Sequence, residues 1–334
     1  MRIPIRVSFI VGGIALLALL VHVISRLLFF RSLFYEHSGI RITQPEIAAA
    51  FAKDHGANRT QHIPKIIHHI FHNWREPEKD GIPDGWGETR KGCMELNPDF
   101  EFKFWGTKAS RDFIETEYPW FLRTYDNYKY PVQRVDAVRY FLMLHYGGIY
   151  MDLDNGCRIP LEPLLYYPAF TTDGGRGALS NNILASRPHH PFWHHVTLAL
   201  LRYNWRWPLP YVRIMYASGQ WFLTAIWEEY HALLPPPSES KEEHRLYRVM
   251  MDGRPGADDW TFFSHSGGGG SWNNWDNRVF NEIGEHLGLF FTCLFVVLAL
   301  VGWIGVRCWR RWKGPGGYRY RRVGSPPSSF GSVV

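Results

Sequence analysis

The chain has 334 residues, 46 % of them hydrophobic, and a formal net charge of +6, so it can hold one large core plus membrane segments. The positive charge is confined to the ends: residues 1–31 hold four arginines and no acid, and residues 307–334 hold seven basic residues and no acid. The middle carries 26 basic against 31 acidic residues, a net of −5, which excludes a basic nucleic-acid-binding body.

Residues 1–6 read as a cytosolic N-terminus and 7–31 as a transmembrane signal anchor. Val7 to Ile24 is apolar apart from Ser8 and His22. The other reading is a cleaved signal peptide, against which stand the long apolar core, the weak small-residue cleavage pattern and the nearby Arg26 and Arg31. Residues 32–62 read as a polar stem, with a glycosylation sequon at Asn58-Arg59-Thr60; single sequons also arise by chance. A lumenal body is expected over 63–286, followed by a second membrane helix over 287–306, matching the ~20 residues that cross a bilayer. The competing reading of that stretch is a buried core helix. Residues 307–334 form a basic, Gly/Pro/Ser-rich tail expected to be disordered and cytosolic. The positive-inside rule puts both tails on the cytosolic side. Cys293 lies in the second apolar stretch and Cys308 at its edge, where palmitoylation is possible. Cys93 and Cys157 are the two lumenal cysteines; they are free to pair in an oxidising lumen, but spacing alone does not establish it.

Within the body, Ile63 to Phe71 predicts a short buried strand. Asn97-Pro98-Asp99 is a turn, and Phe100 to Trp105 alternates aromatic and charged residues, predicting a strand. Helices are predicted over about 107–118, 132–145, 191–203 and 220–233, and strands over 149–154 and 181–186. The helix at 132–145 has the clearest limits, with Pro131 before it, an apolar stripe along it and Gly147-Gly148 after it. Residues 235–243 read as a solvated loop and Gly267 to Gly270 as a flexible run.

The chemistry concentrates at Tyr150-Met151-Asp152-Leu153-Asp154. A bare D-x-D is common. This one follows a helix, a glycine stop and an apolar strand, so the two carboxylates are expected at the C-terminal end of a strand, where open α/β sheets bind ligands. If 149–154 is one strand, Asp152 and Asp154 leave on the same side. Such a pair suits a hard divalent cation with nucleotide phosphates. Upstream, Asp136 and Arg139 are three apart on one helix face. They read either as an ion pair on a solvated face or as a clamp for a vicinal diol, Asp accepting and Arg donating. The aromatics Trp205, Trp207, Tyr211, Tyr216 and Trp221 read either as a membrane-facing entrance or as ordinary packing.

Five motifs in order carry a family resemblance: Ile63-Pro64-Lys65-Ile66-Ile67-His68; Asn97-Pro98-Asp99-Phe100-Glu101-Phe102 with Trp105; Arg134-Val135-Asp136-Ala137-Val138-Arg139-Tyr140; Tyr146 to Asp154; and Gly270-Ser271-Trp272. Over about residues 60–280 the chain resembles the D-x-D glycosyltransferases of family 32, most of all their fungal Golgi branch, the mannosyl phosphorylinositol ceramide synthases. The resemblance implies a GT-A type, Rossmann-like α/β domain, here between two transmembrane helices. It implies a retaining mannosyltransferase in the Golgi membrane using GDP-mannose, with Mn²⁺ or Mg²⁺ as cofactor and a sphingolipid, inositol phosphoceramide, as acceptor partner. Asp152 and Asp154 are then the catalytic and metal-binding residues, with His265 either a further ligand or a solvated loop histidine. Asp136 and Arg139 hold the donor sugar. Phe71, Tyr150, Ser271 and Trp272 serve the nucleotide. Asn181 and Asn182 lie on the acceptor side or act as turn-formers. The two membrane helices leave room for a small regulatory membrane subunit.

The chain departs from the family at three places. Phe71 stands where Trp is common, Ser218-Gly219-Gln220 replaces a usual Gly-Pro, and four glycines precede Ser271. Two other functions fit the same motifs: an α-1,6-mannosyltransferase extending protein N-glycans, and a non-catalytic membrane subunit, against which the intact Asp152/Asp154 pair argues.

Overall fold

The computed structural model describes residues 5–57, 59–76, 81–235, 241–253, 255–267 and 273–312. Asn58 of the sequon, most of the glycine run and the basic tail beyond Trp312 lie outside the described residues. The first part of the body comprises α1 (Ile5–Ser32), β1 (Ile40–Ile42), α2 (Gln44–Asp54), β2 (Ile66–Ile70), α3 (Asp84–Leu96), β3 (Glu101–Trp105), α4 (Thr107–Glu117) and α5 (Pro119–Asp126). It continues with α6 (Pro131–His145), β4 (Gly148–Met151), β5 (Asn155–Cys157), β6 (Ala169–Asp173), β7 (Ile183–Ser186), α7 (Pro191–Tyr203), α8 (Pro210–Ala217), α9 (Gln220–Leu233), β8 (Tyr247–Met250) and β9 (Phe263–His265). A separate unit from Arg278 onward contains most of α10 (Asn277–Glu285) and all of α11 (Leu287–Trp312).

Seven strands form one sheet in the order β1-β8-β6-β7-β4-β2-β3, and β7 alone runs against its neighbours. The other six strands therefore end at one edge, the ligand-binding edge of open α/β sheets. This is the expected α/β class. The stretch read as a stem is part of it: β1 pairs in parallel with β8, Ile40 opposite Tyr247, so the folded body includes residues from Ile40 onward. Sequence periodicity missed this because the strand is three residues long and its partner lies far along the chain.

The sheet lies between two apolar layers. Along β4 the side chains alternate. Ile149 and Met151 pack with Ile67, Cys93 and Phe262 on one side, while Tyr150 packs with Val138, Phe141 and Phe222 on the other. Helix α6 is not the half-exposed stripe its pattern predicts. Its residues from Val135 to Leu144 are all buried, Asp136 and Arg139 included, so the solvated ion-pair reading of those two fails. Pro131 starts α6, and Gly147 and Gly148 turn the chain into β4 with φ of 64° and 84°. A Cβ on Gly148 would sit 2.6 Å from the Ile66 carbonyl oxygen, so only glycine fits there.

Two helices, Gly12–Ser32 within α1 and Leu287–Arg310 within α11, are long and apolar enough to cross a membrane, and neither span is buried inside the protein. The buried-core reading of the second stretch therefore fails. Cys93 and Cys157 form a disulfide that ties α3 to β5. Replacing Cys93 with Ser is expected to lower stability by about 2–5 kcal/mol. Thermal unfolding of the full chain would read this, and an unchanged Tm would refute it.

Candidate active site

The acidic pair does not lie in a strand. Strand β4 ends at Met151, and Asp152 to Asp154 form a turn closed by the Asn155 N–H donating to the Asp152 carbonyl at 3.0 Å. Strand alternation thus has no part in placing the two carboxylates. They are placed by what grips the turn from each side. On one side the Asp152 N–H donates to the Asn182 carbonyl at 2.8 Å. On the other, β9 pairs antiparallel with β5, Asn155 opposite His265. The Ser266 N–H and hydroxyl then donate to the Asp154 carbonyl at 2.8 and 3.1 Å.

Beneath the turn lies a buried charge cluster. Arg139 sends one terminal nitrogen to Asp136 at 3.2 Å and the other to Asp152 at 3.3 Å. The latter nitrogen also donates to the Asn181 carbonyl at 2.6 Å, and the guanidinium lies 4.6 Å from the centre of the Tyr150 ring. The Tyr150 hydroxyl donates a short hydrogen bond to Oδ1 of Asp152. Both contacts to Asp152 fall on Oδ1, so its other oxygen carries no hydrogen bond among the described residues. Asp136 is held further by the Ser218 hydroxyl at 2.9 Å and the Asn181 amide at 3.1 Å. Tyr140 donates to the Ser218 carbonyl at 2.7 Å.

Burial dominates the electrostatics. It pushes the Asp136 carboxyl up to about 6, against the pull of Arg139 and the two hydrogen bonds. Burial also works against the charge of Arg139, yet Asp152, Tyr150 and Asp136 hold it firmly protonated. Asp154 is raised by burial and by the nearby charge of Asp152, with His265 opposing. Two carboxylates crowding one turn are chemically a site short of positive charge. Their hard oxygens suit Mg²⁺ or Mn²⁺.

Two buried histidines of β2 brace the neighbouring strand β4. Trp105 Nε1 donates to Nδ1 of His68 at 3.1 Å, so Nε2 carries the proton and donates to the Gly147 carbonyl at 3.0 Å. His69 Nδ1 donates to the Met151 carbonyl at 3.0 Å, one residue before Asp152. With His72, bonded to Ser110, they are held neutral by burial, with pKa values lowered to about 3, 4 and 4 respectively. An unfolded histidine titrates at 6.5, so the folded state binds fewer protons in the acid range. The stability these three contribute is complete above pH 6.5 and is lost as pH falls through 4. Asp136, between 3.8 and about 6, and Asp154, which is raised as well, work in the opposite direction, but they are two groups against three. The Tm of the full chain is therefore expected to fall between pH 6.5 and 4, and a flat profile across that window would count against this assignment.

The other expected residues fall as follows. Phe71 lies one residue past β2, half-buried, with its ring edge-to-face against Trp86 at 5.8 Å. Tyr150 is fully buried and offers no open ring face to a nucleobase; its hydroxyl braces Asp152 instead. Asn181 and Asn182 directly precede β7. Asn181 supports Asp136 and Arg139, while the Asn182 side chain accepts from Thr172 at 2.9 Å. His265 is exposed at the end of β9, beside the acidic turn. Ser271 and Trp272 lie outside the described residues. Of the membrane-entrance aromatics, Trp221 packs on Phe30 at the foot of α1, at 4.8 Å, and Trp207 stacks on Tyr216 at 5.9 Å. The residues that sequence reasoning missed are Ser218, Ser266 and His69. Ser218 stood out only as a departure from the family pattern.

The profile of the glycosyltransferase sugar-binding region containing the DXD motif matches residues 83–171. The chain is 35 % identical over 256 residues to a mannosyl phosphorylinositol ceramide synthase of Saccharomyces cerevisiae, covering 75 % of this chain and 63 % of that protein. It is 36 % identical over 245 residues to inositol phosphoceramide mannosyltransferase 2 of Schizosaccharomyces pombe, covering 71 % and 67 %. With inositol phosphoceramide mannosyltransferase 1 of the same organism it shares 33 % over 246 residues, covering 71 % and 72 %. The chain thus spans less than two thirds of the S. cerevisiae relative's length. Identity at that level across most of a relative makes the family plain: the chain belongs to the glycosyltransferases with the DXD-containing sugar-binding region, the family of these yeast proteins.

Proposed function

We propose that this protein is a retaining mannosyltransferase that moves mannose from GDP-mannose to inositol phosphoceramide, forming mannosyl-inositol phosphoceramide. The observation that carries the reading is the convergence of Arg139 on Asp136 and Asp152 beneath the acidic turn, at the ligand-binding edge of the sheet. The names of the yeast relatives support the sugar and the acceptor.

Asp152 and Asp154 are the metal-binding pair, through hard carboxylate oxygens that fit Mn²⁺ or Mg²⁺. Held there, the cation would supply Lewis-acid stabilisation of the departing diphosphate. Arg139 and Asp136 are positioning residues: they fix Asp152, and the donor sugar docks over them. Phe71 packs on the base at the end of β2. Asn181 and Asn182 form the wall toward the acceptor. The new bond joins an acceptor hydroxyl oxygen to the anomeric carbon while the bond to phosphate breaks on the same face, and the departing phosphate oxygen takes the hydroxyl proton.

The enzyme belongs in the Golgi membrane with its body lumenal and both termini cytosolic. The Cys93–Cys157 disulfide supports an oxidising compartment for the body, and the basic ends support the cytosol for the tails. Membranes bearing the full chain, given GDP-mannose, Mn²⁺ and inositol phosphoceramide, are expected to make mannosylated lipid. Chelation is expected to lower the rate at least about 100-fold, with recovery on adding Mn²⁺. Absence of product from the intact protein would sink the proposal.

A further inference from the structure

A cavity of about 410 Å³ opens at the same sheet edge, away from the acidic turn. Its walls include Phe34 and Tyr35 just after α1, Arg41 of β1, Asp173 at the end of β6, Arg176 beyond it and Arg248 of β8. A second space of about 380 Å³ shares Arg41, Met250 and Asp252 with it.

Strand register fixes where this cavity lies relative to the acidic turn. Thr171 of β6 and Tyr150 of β4 both pair with Leu184 of β7, so Asp173, the last residue of β6, is about level with Asp152, the first residue past β4. Two strand spacings separate them, about 10 Å. That is close to the span of a phosphorylated six-membered polyol.

The lining has the chemistry for such a ligand. Arg248 is 5 % exposed and pairs with Asp173 at 2.8 Å, while its Nε has no hydrogen-bond partner among the described residues. Arg41 and Arg176 are exposed and form no ion pair among the described residues. Glu36, Asp173 and Asp252 bring three carboxylates to the same walls. A purely anionic ligand would meet as many negative as positive groups. A phosphodiester carrying hydroxyls uses both, guanidinium to phosphate and hydroxyl to carboxylate.

The location indicates a lipid. Phe34 and Tyr35 follow Ser32, the last residue of α1, by two and three positions, so this wall is within about 10 Å of the helix end. It is anchored: His37 bonds the Gly177 carbonyl at 2.8 Å and Glu228 at 3.2 Å, and the Ser38 N–H donates to Glu228 at 3.1 Å.

We propose that this cavity binds the phosphodiester and polyol of the lipid acceptor, presenting a polyol hydroxyl toward the acidic turn. The inference rests on the preceding reading that the acceptor is a phosphoinositol sphingolipid. It is tested with the full chain in lipid nanodiscs, using an Arg41→Ala/Arg176→Ala variant, since both residues are exposed and their loss spares the buried Arg248–Asp173 pair. Calorimetry with inositol 1-phosphate should show binding weakened at least about tenfold in the variant, and inorganic phosphate should bind the intact protein more weakly. The KM for inositol phosphoceramide should rise about tenfold, with the KM for GDP-mannose moving less than about twofold. Inositol phosphate should also compete with the lipid.

Equal binding by variant and intact protein, or an unchanged lipid KM, overturns the proposal. Equal affinity for inorganic phosphate overturns its polyol half, and binding without competition overturns the lipid assignment. If inositol phosphate binds as expected but no lipid is mannosylated, the proposed function fails while the cavity's ligand chemistry stands.

Discussion

Asp154→Asn is expected to lower mannosyl transfer at least about 1,000-fold without lowering the Tm. The two parts of this result come from different atoms. The turn is held through the Asp154 carbonyl, which accepts from Ser266, and a change of side chain leaves that contact in place. The carboxylate sits near Asp152 in a half-buried setting that raises its pKa, so its charge is a strain on the turn. Removing it relieves repulsion and takes away a hard ligand. Activity and stability should therefore part, with the rate collapsing and Tm steady or slightly higher. Transfer within about tenfold of the intact enzyme would remove Asp154 from the metal site. A large fall in Tm would mean that the side chain is structural.

Arg139→Met should do the opposite, losing both together. Arg139 is 4 % exposed and lies between two carboxylates. Removing one partner of a buried ion pair costs about 3–5 kcal/mol, because the remaining charge is left unpaired. Asp136 bears that cost, since burial has already pushed its carboxyl up to about 6. The double variant Arg139→Met/Asp136→Asn should recover much of the stability and none of the activity, since Asp152 still lacks its anchor. Measured as a double-mutant cycle, a coupling in stability of about 2 kcal/mol or more is expected. Additive losses would show that the pair does not act as one unit.

How much of this was legible in the sequence depended on the range of the contacts. Strand β3 and helix α6 were readable because their signals are local: alternation in Phe100 to Trp105, a proline start and a double-glycine stop. The short strands β1, β5 and β9 were not, because each forms only against a partner far along the chain. The acidic pair was found, but its support was misassigned. Spacing suggested a strand that continues through Asp154, whereas the chain turns at Asp152, and backbone bonds from Asn182 and Ser266 hold it. The i, i+3 spacing of Asp136 and Arg139 was correctly read as one face. What spacing does not report is burial, and burial turns a weak surface pair into the floor of the site. Tyr150 shows the same limit: the family resemblance implied a role toward the nucleotide, while the fold buries its ring and brings its hydroxyl to Asp152.

The pairing of β5 with β9 also bears on when the site comes into being. Among the described residues, the strand that completes the acidic turn is the last of the nine to be synthesised, and the sheet's own edge, β1, waits for β8. A nascent chain that has passed Asp154 carries the motif without the strand that closes it. Long-range pairings of this kind form late and slowly. Site assembly is thus tied to the end of translation of the body, and any product that stops short of His265 should be inert, however well its earlier helices fold.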